Sequence, residues 1–247
     1  MKKRAMANYK LIFSYDGTDF CGWQRQLDKR TVQGEIEKVL ARISGEKISV
    51  SGAGRTDAGV HAQGQVANFR ADLRLKDKEL QQALNALLPD DVKVISLRRT
   101  APDFHARKSA KSKIYLYRIY NSRAISPFLL RYVLYWPAAL DIQKMGEAAA
   151  LFKREADFTG FSSNRLLHPV RKVLRSEVKK RGKEIGYTIE ATGFLRYMVR
   201  TIVGTLLEVG RGQMEPRQIE DIFREKDRSL AGPTAPAKGL CLVKVIY

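Results

Sequence analysis

Strand and helix patterns occur twice in the same order along this chain of 247 residues, and that repetition most constrains its fold. In the first half, alternating and periodic apolar residues predict strands at 9–15, 47–53, 65–70 and 92–99, with helices at 32–43 and just before Pro89. In the second half they predict strands at 113–120, 170–180, 184–192 and 240–247, with helices at 141–153, 194–209 and from Pro216 onward. Both halves therefore follow the order β-α-β-β-α-β.

This order is typical of an α+β fold, with two ferredoxin-like halves side by side and a central antiparallel or mixed sheet. We place the boundary between residues 1–108 and 109–247, and a cleft between two such halves is a natural place for a site. Two local signals support the assignment. Thr31 is suited to cap the first helix, and Arg181-Gly182-Lys183 is suited to turn a hairpin.

Charge gives the strongest indication of the class of partner. The chain has 45 Lys and Arg against 26 Asp and Glu, a formal net charge of +19, while its hydrophobic content of 44% is ordinary for a folded protein. Such a balance predicts a polyanionic partner, most often nucleic acid. A membrane surface is the weaker alternative, because no basic amphipathic helix is evident and no stretch approaches the roughly 18 apolar residues of a membrane span.

Cysteine and histidine usage argues against two other classes of protein. Cys21 and Cys241 lie far apart in the sequence, which is no disulfide framework and suits a reducing cytoplasm. The three histidines have no Cys or His at ligand spacing, so we expect no metal site.

A glycine-rich loop at 52–61 is the densest candidate for chemistry. Its three glycines predict a backbone that needs positive φ or close approach to a ligand, but their spacing fits neither a dinucleotide fingerprint nor a phosphate-binding P-loop. The loop presents Asp57 two residues after Arg55, and the nearby cation favours an ionised carboxylate that could act as nucleophile or base. The alternative is an aspartate that only stabilises a turn.

The apolar helix predicted at 194–209 carries two arginines, Arg196 and Arg200, four residues apart on one face. A guanidinium on a buried helix needs an anionic partner, because an unpaired buried charge is costly. The alternative is that the side chain extends to solvent at the edge of the helix. We favour solvent for Arg196 and a buried partner for Arg200.

A cationic segment at 105–113 leads into a strand in which Tyr115 and Tyr117 share one face. Cations beside flat aromatic rings are what an RNA site that stacks bases requires. The alternative, a row of tyrosines packed in the core, fits the pattern equally well. The same ambiguity applies to Trp23 in Gly-Trp-Gln-Arg-Gln at 22–26.

Taken together, these segments resemble the TruA family of tRNA pseudouridine synthases. The most specific match is Gly-Arg-Thr-Asp-Ala-Gly-Val-His at 54–61. The others, in order along nearly the whole chain, are Tyr-Asp-Gly-Thr at 15–18, the segment 22–26, Phe-His-Ala-Arg at 104–107, Lys113 with the two tyrosines, Asp-Phe-Thr at 157–159, Met-Val-Arg at 198–200 with Val203-Gly204, and Ala237 with Gly239-Leu240.

The resemblance implies that uridine is isomerised to pseudouridine at positions 38 to 40 of the tRNA anticodon stem-loop, without cofactor, metal or energy source. It implies that Asp57 is the catalytic carboxylate, attacking the base or the ribose, and that Arg200 pairs with it. Tyr115 would stack on the target uracil, and Arg55 would help to hold the displaced nucleotide. It also implies a cytoplasmic homodimer in which one tRNA contacts both subunits.

Two other functions remain open from the sequence. A non-catalytic RNA-binding module would use only the basic surface and would tolerate Asp57→Asn. An RNA methyltransferase would need a glycine-rich turn for its cofactor after the first strand, where Asp16-Gly17-Thr18 offers a single glycine.

Overall fold

The computed structural model describes residues 6–163 and 167–247, and contacts among these residues divide the chain into two compact units. The first unit contains residues 6–111 together with Leu242–Tyr247, and the second contains Ser112–Cys241. The sequence-based boundary after residue 108 lies three residues from this division. The last six residues group with the first unit, whereas the sequence-based division placed them with the second half.

The first unit has the ferredoxin-like order that the sequence predicts. Its elements are β1 (Ala7–Tyr15), α1 (Val32–Ser44), β2 (Ser51–Gly52), β3 (His61–Ala71), α2 (Asp77–Leu87) and β4 (Val92–Thr100). The strands pair antiparallel in the order β4-β1-β3-β2. A last strand, β10 (Leu240–Ile246), also neighbours β3, and its residues from Leu242 onward belong to this unit. The predicted α+β class and antiparallel sheet are confirmed.

Local sequence signals account for the burial pattern of β1 and for both ends of α1. Alternate residues of β1 are buried, among them Leu11 and Phe13, which are fully inaccessible to solvent. The Thr31 side chain accepts a hydrogen bond from the Gly34 N–H, which confirms the predicted cap of α1. The helix ends at Gly45 in the left-handed conformation, with φ of 77°.

The strand predicted at 47–53 is wrong in extent, since β2 contains only Ser51–Gly52, followed by one backbone hydrogen bond from the Ala53 N–H to the Val66 carbonyl of β3 at 2.7 Å. Side chains of α1 take the backbone hydrogen bonds of the preceding residues instead. The Val50 N–H donates to the buried Glu37 carboxylate at 2.9 Å, and Gln33 Nε2 donates to the Val50 carbonyl at 3.1 Å. The backbone of Val50, directly before Ser51, is therefore bound to the helix rather than to the sheet.

The second unit follows the predicted order with two short strands added. Its elements are β5 (Ser112–Asn121), β6 (Leu134–Trp136), α3 (Ile142–Ala150), β7 (Glu155–Asp157), β8 (Val170–Arg181), β9 (Glu184–Ala191), α4 (Met198–Gly210) and α5 (Gln218–Glu225). The sheet order is β6-β5-β9-β8-β7, antiparallel except for the parallel pair of β5 and β6. The β8–β9 hairpin turns at residues 181–184, with Gly182 at φ of 57°, as predicted.

Helix α4 begins four residues later than predicted. Tyr197 has φ of 62°, a left-handed conformation that stops the helix from extending toward its N-terminus. Arg196 therefore lies outside α4, and the prediction that it shares a helix face with Arg200 is wrong. Helix α5 likewise begins at Gln218, so Pro216 precedes it rather than occupying its first turn. In the part of the chain that the structure describes, no helix is long and apolar enough to cross a membrane.

Candidate active-site residues

The glycine-rich loop lies between β2 and β3 and packs against the segment that follows β1 in the first unit. A Cβ atom on Gly17 would fall 2.0 Å from the Val60 carbonyl oxygen, so only glycine allows this approach. Of the three glycines in the loop, Gly59 has φ of 78°, which confirms the predicted positive φ at this one position, and Gly22 in the neighbouring segment has φ of 91°. The motifs at 15–18, 22–26 and 54–61 are thus three parts of one folded region.

Thr56 fixes this loop immediately before Asp57. Its buried hydroxyl lies 2.8 Å from the Tyr15 hydroxyl, and its carbonyl accepts a hydrogen bond from the Trp23 N–H at 3.1 Å. Trp23 is itself buried, which confirms the interpretation of this residue as core. The contact between Tyr15 and Thr56 is not predicted by the sequence, although both residues fall within the motifs at 15–18 and 54–61.

Asp57 begins a tight turn that its own backbone closes, because the Val60 N–H donates to the Asp57 carbonyl at 3.2 Å. The Asp57 residue is half-buried, and Arg55 on the same loop is exposed. The structure therefore brings this carboxylate and this guanidinium onto one short loop with a fixed backbone. Such an arrangement can present a carboxylate to a bound molecule without first ordering the chain.

His61 closes the far end of the loop. Its Nδ1 accepts a hydrogen bond from the Gly17 N–H at 3.1 Å and lies 3.1 Å from Asp16 Oδ1. The Asp16 Oδ1 atom accepts hydrogen bonds from the Thr18 N–H and hydroxyl, at 3.0 and 2.6 Å. These contacts give Asp16 and His61 a structural part in holding the two motifs together.

Tyr115 and Tyr117 lie on the same buried face of β5, as predicted. The Tyr115 ring packs edge-on against Phe194, with centroids 5.0 Å apart and an interplanar angle of 82°. The Tyr117 hydroxyl donates to the Pro236 carbonyl at 2.8 Å, and burial raises the pKa of this phenol well above its ordinary value. Both rings are therefore buried, and Tyr115 contacts Phe194 in the segment that precedes α4.

Arg200 lies half-buried in the first turn of α4. Its Nε donates to the Ala235 carbonyl at 2.7 Å, and its guanidinium carbon lies 5.0 Å from the centroid of the Tyr197 ring. Arg196 is exposed and packs on the same ring at 4.9 Å, so the expectation that it extends to solvent is confirmed. The anionic partner expected for Arg200 stays a prediction.

The four residues implied by the resemblance thus fall into two pairs. Asp57 and Arg55 share a loop of the first unit, whereas Tyr115 and Arg200 belong to the second unit, on β5 and α4. Among residues 6–163 and 167–247, no group of three or more His, Cys, Asp or Glu side chains could hold a metal ion.

Comparison with known proteins gives consistent matches over almost the whole chain. A family model described as tRNA pseudouridine synthase matches residues 11–107 and 148–247. A protein of Geobacillus kaustophilus is 46% identical over 241 residues, covering 96% of this chain and 93% of its own length. Proteins of Moorella thermoacetica and Thermodesulfovibrio yellowstonii are 43% and 42% identical, and these matches cover 98% and 100% of their lengths. All three are named tRNA pseudouridine synthase A.

Proposed function

The chain belongs to the tRNA pseudouridine synthase family, whose members isomerise uridine to pseudouridine in tRNA, and we propose that this protein acts at positions 38 to 40 of the anticodon stem-loop. The observation that carries the proposal is the match of nearly the whole chain to relatives of this name, together with the match of the family model to residues 11–107, which include the loop that holds Asp57. The reaction breaks the N-glycosidic bond, turns the base and rejoins it to the ribose through C5.

Each of the four residues has one part in the proposed mechanism. The Asp57 carboxylate attacks the uridine, and Arg200 is the cation that keeps this carboxylate ionised. Tyr115 stacks on the uracil, and Arg55 holds the displaced nucleotide. The turn at Asp57, which backbone atoms close, and the exposed Arg55 beside it support the first and last of these assignments.

A uridine paired in a stem must leave the base stack before a side chain can reach it, at a cost of a few kcal/mol. Contacts between the basic surface and the phosphate backbone would offset that cost. The net charge of +19 supports this proposal, because attraction between the basic surface and the phosphates stabilises the complex whatever the target base is.

We also propose that the protein is a cytoplasmic homodimer. An exposed apolar group supports a subunit interface, because Phe128 is 87% exposed and Leu130 and Tyr132 are each 38% exposed. Light scattering should give twice the chain mass of 28.0 kDa, and Phe128→Ser should shift the equilibrium toward monomer. A monomeric parent protein at micromolar concentration would contradict the dimer.

The test of the function is a pseudouridine-specific chemical label, read by primer extension on an unmodified tRNA transcript incubated with and without the protein. Three transcripts that keep uridine at only one of positions 38, 39 and 40 would separate the sites. We expect labelled stops at these positions alone. Unlabelled mass spectrometry would miss the product, because pseudouridine has the mass of uridine. Stops elsewhere in the tRNA would refute the positional assignment, and no stops at all would refute the activity.

Affinity for tRNA should fall steeply with salt. If roughly 6–10 phosphates are neutralised, binding should weaken about 10³–10⁵-fold between 50 and 200 mM salt, because each contact releases a counterion. Filter binding at four salt concentrations gives the slope. A flat response would show that the basic surface serves another purpose.

Tyr115→Leu should reduce the single-turnover rate at least tenfold, whereas Tyr115→Phe should keep tRNA binding. Stacking on a base needs the ring rather than the hydroxyl and contributes about 1–3 kcal/mol. The phenylalanine variant could still lose rate if the hydroxyl relays the proton that leaves C5. Melting temperatures and rates should be measured on the same samples. If Tyr115 only packs against Phe194, the leucine variant will melt earlier and react at the parent rate.

A further inference from the structure

The Ala/Pro-rich segment at residues 231–236, here called the strap, lies along helix α4 and hydrogen-bonds to its backbone and side chains. The Gly232 N–H donates to the buried Thr205 hydroxyl at 3.0 Å. The Ala235 N–H donates to the Arg200 carbonyl at 3.0 Å, and the Ala235 carbonyl accepts from Arg200 Nε at 2.7 Å. The strap therefore contacts both the backbone and the side chain of Arg200.

Two glycines make this close contact possible. A Cβ atom on Gly204 would fall 1.6 Å from the Pro233 carbonyl oxygen, and one on Gly232 would fall 2.5 Å from the Gly204 carbonyl carbon. Both distances are far inside van der Waals contact, so no larger side chain fits unless the strap moves. Gly204 and Thr205 lie four and five residues after Arg200, on the helix face that the strap covers.

Arg228 also binds the strap. Its two terminal nitrogens donate to the Ala231 carbonyl at 3.2 Å and to the Thr234 hydroxyl at 3.0 Å. A planar guanidinium that reaches two acceptors three residues apart fixes the tilt of the segment as well as its position. The Thr234 hydroxyl also lies 3.5 Å from the Thr201 hydroxyl on α4.

The end of the strap accepts hydrogen bonds from the Arg200 and Tyr117 side chains. Ala235 binds Arg200 through Nε, and the Pro236 carbonyl accepts the hydrogen bond from Tyr117. Arg200 is thus held at its Nε by the strap while its guanidinium lies over the Tyr197 ring. These two contacts restrain rotation of the guanidinium, and small displacements of such a group can cost about 10²-fold in rate.

We propose that the strap orients Arg200 for the reaction, and that Gly204, Thr205 and Arg228 are positioning residues which act through it. The inference rests on the proposed function, since it assumes that Arg200 takes part in catalysis. It predicts that damage to the strap lowers the rate of the chemical step and leaves tRNA affinity nearly unchanged.

Gly204→Ala is the direct test, with Gly146→Ala as its matched control. Both glycines lie inside helices, but a Cβ atom on Gly146 would meet nothing within 4 Å. We expect the single-turnover rate of Gly204→Ala to fall at least tenfold with tRNA affinity within threefold, and the control to match the parent. A folded Gly204→Ala protein that reacts at the parent rate would overturn the proposal.

A second pair of variants covers the case in which Gly204→Ala does not fold. Thr205→Val removes the acceptor for Gly232, and Thr205→Ser keeps it. We expect the valine variant to lose rate about tenfold and the serine variant to recover most of it. Ser176→Ala, which removes another buried hydroxyl of the second unit, should lower the melting temperature without changing the rate. Equal rates for the valine variant, the serine variant and the parent would also overturn the proposal.

A double-mutant cycle separates positioning from general damage. If the strap acts through Arg200, adding Thr205→Val to Arg200→Met should cause little further loss of rate. If the rate losses of the two single variants multiply in the double variant, the strap does not act through Arg200, and the role of Arg200 itself is left unchanged by this result. If Arg200→Met alone reacts normally, the proposed function of Arg200 fails first, and the strap then has no catalytic group to orient.

Discussion

Replacing Asp57 by asparagine is expected to abolish pseudouridine formation and to leave tRNA affinity within about tenfold, or about 1.4 kcal/mol. The amide is nearly the same size as the carboxylate but can neither attack the uridine nor accept its proton. The loop should keep its conformation, because the turn at Asp57 is closed by backbone atoms and the preceding Thr56 is held by Tyr15 and Trp23. Single-turnover assays with the chemical label would measure the rate, and filter binding would measure the affinity.

The matched control for this variant is Asp103→Asn, which removes the same charge from an exposed aspartate of the first unit. It should react at the parent rate. Conversion by Asp57→Asn at more than a trace of that rate would remove Asp57 from the role of nucleophile. A parent protein that binds tRNA but makes no pseudouridine would instead favour the non-catalytic RNA-binding module.

Arg200→Met is expected to reduce the rate about 100-fold or more while changing tRNA affinity little. Methionine replaces the apolar stem of the arginine, so the first turn of α4 should still pack, but the charge and the Nε donor to Ala235 are lost. Arg200→Lys keeps the charge without the planar guanidinium, so it should recover only part of the rate. Comparing the rates of the two variants separates the contribution of the positive charge from that of the planar guanidinium.

The control is Arg196→Met, because Arg196 packs on the same Tyr197 ring but is exposed and lies outside the helix. It removes one positive charge without touching the strap, and its rate should stay near that of the parent.

If Arg200 keeps the catalytic carboxylate ionised, the acid limb of the pH–rate profile should move to higher pH in Arg200→Met. The reason is that losing a nearby cation favours the protonated acid. An acid limb that stays in place would refute this electrostatic role.

Sequence alone determined the features that depend on neighbours along the chain. The apolar alternation in β1 and β5, the cap at Thr31 and the turn at Gly182 are local signals, because they arise from side-chain period and backbone preference. The loop pattern singled out Asp57 as a candidate but left a turn aspartate as the alternative, and its catalytic role is implied only by the resemblance. The net charge predicted a nucleic-acid partner, and the order of the motifs carried the family resemblance.

Tertiary structure decided the features that depend on residues distant in sequence. Val50 leaves the sheet because the Glu37 and Gln33 side chains bind its backbone, although the composition of this segment favours a strand. Thr56 meets Tyr15 across 41 residues. Arg200 contacts Ala235, which lies 35 residues away in the sequence. The strap can approach α4 closely because Gly204 and Gly232 have no side chains where the two segments touch. Such contacts have no periodicity along the chain, since they form only when packing brings separate elements together.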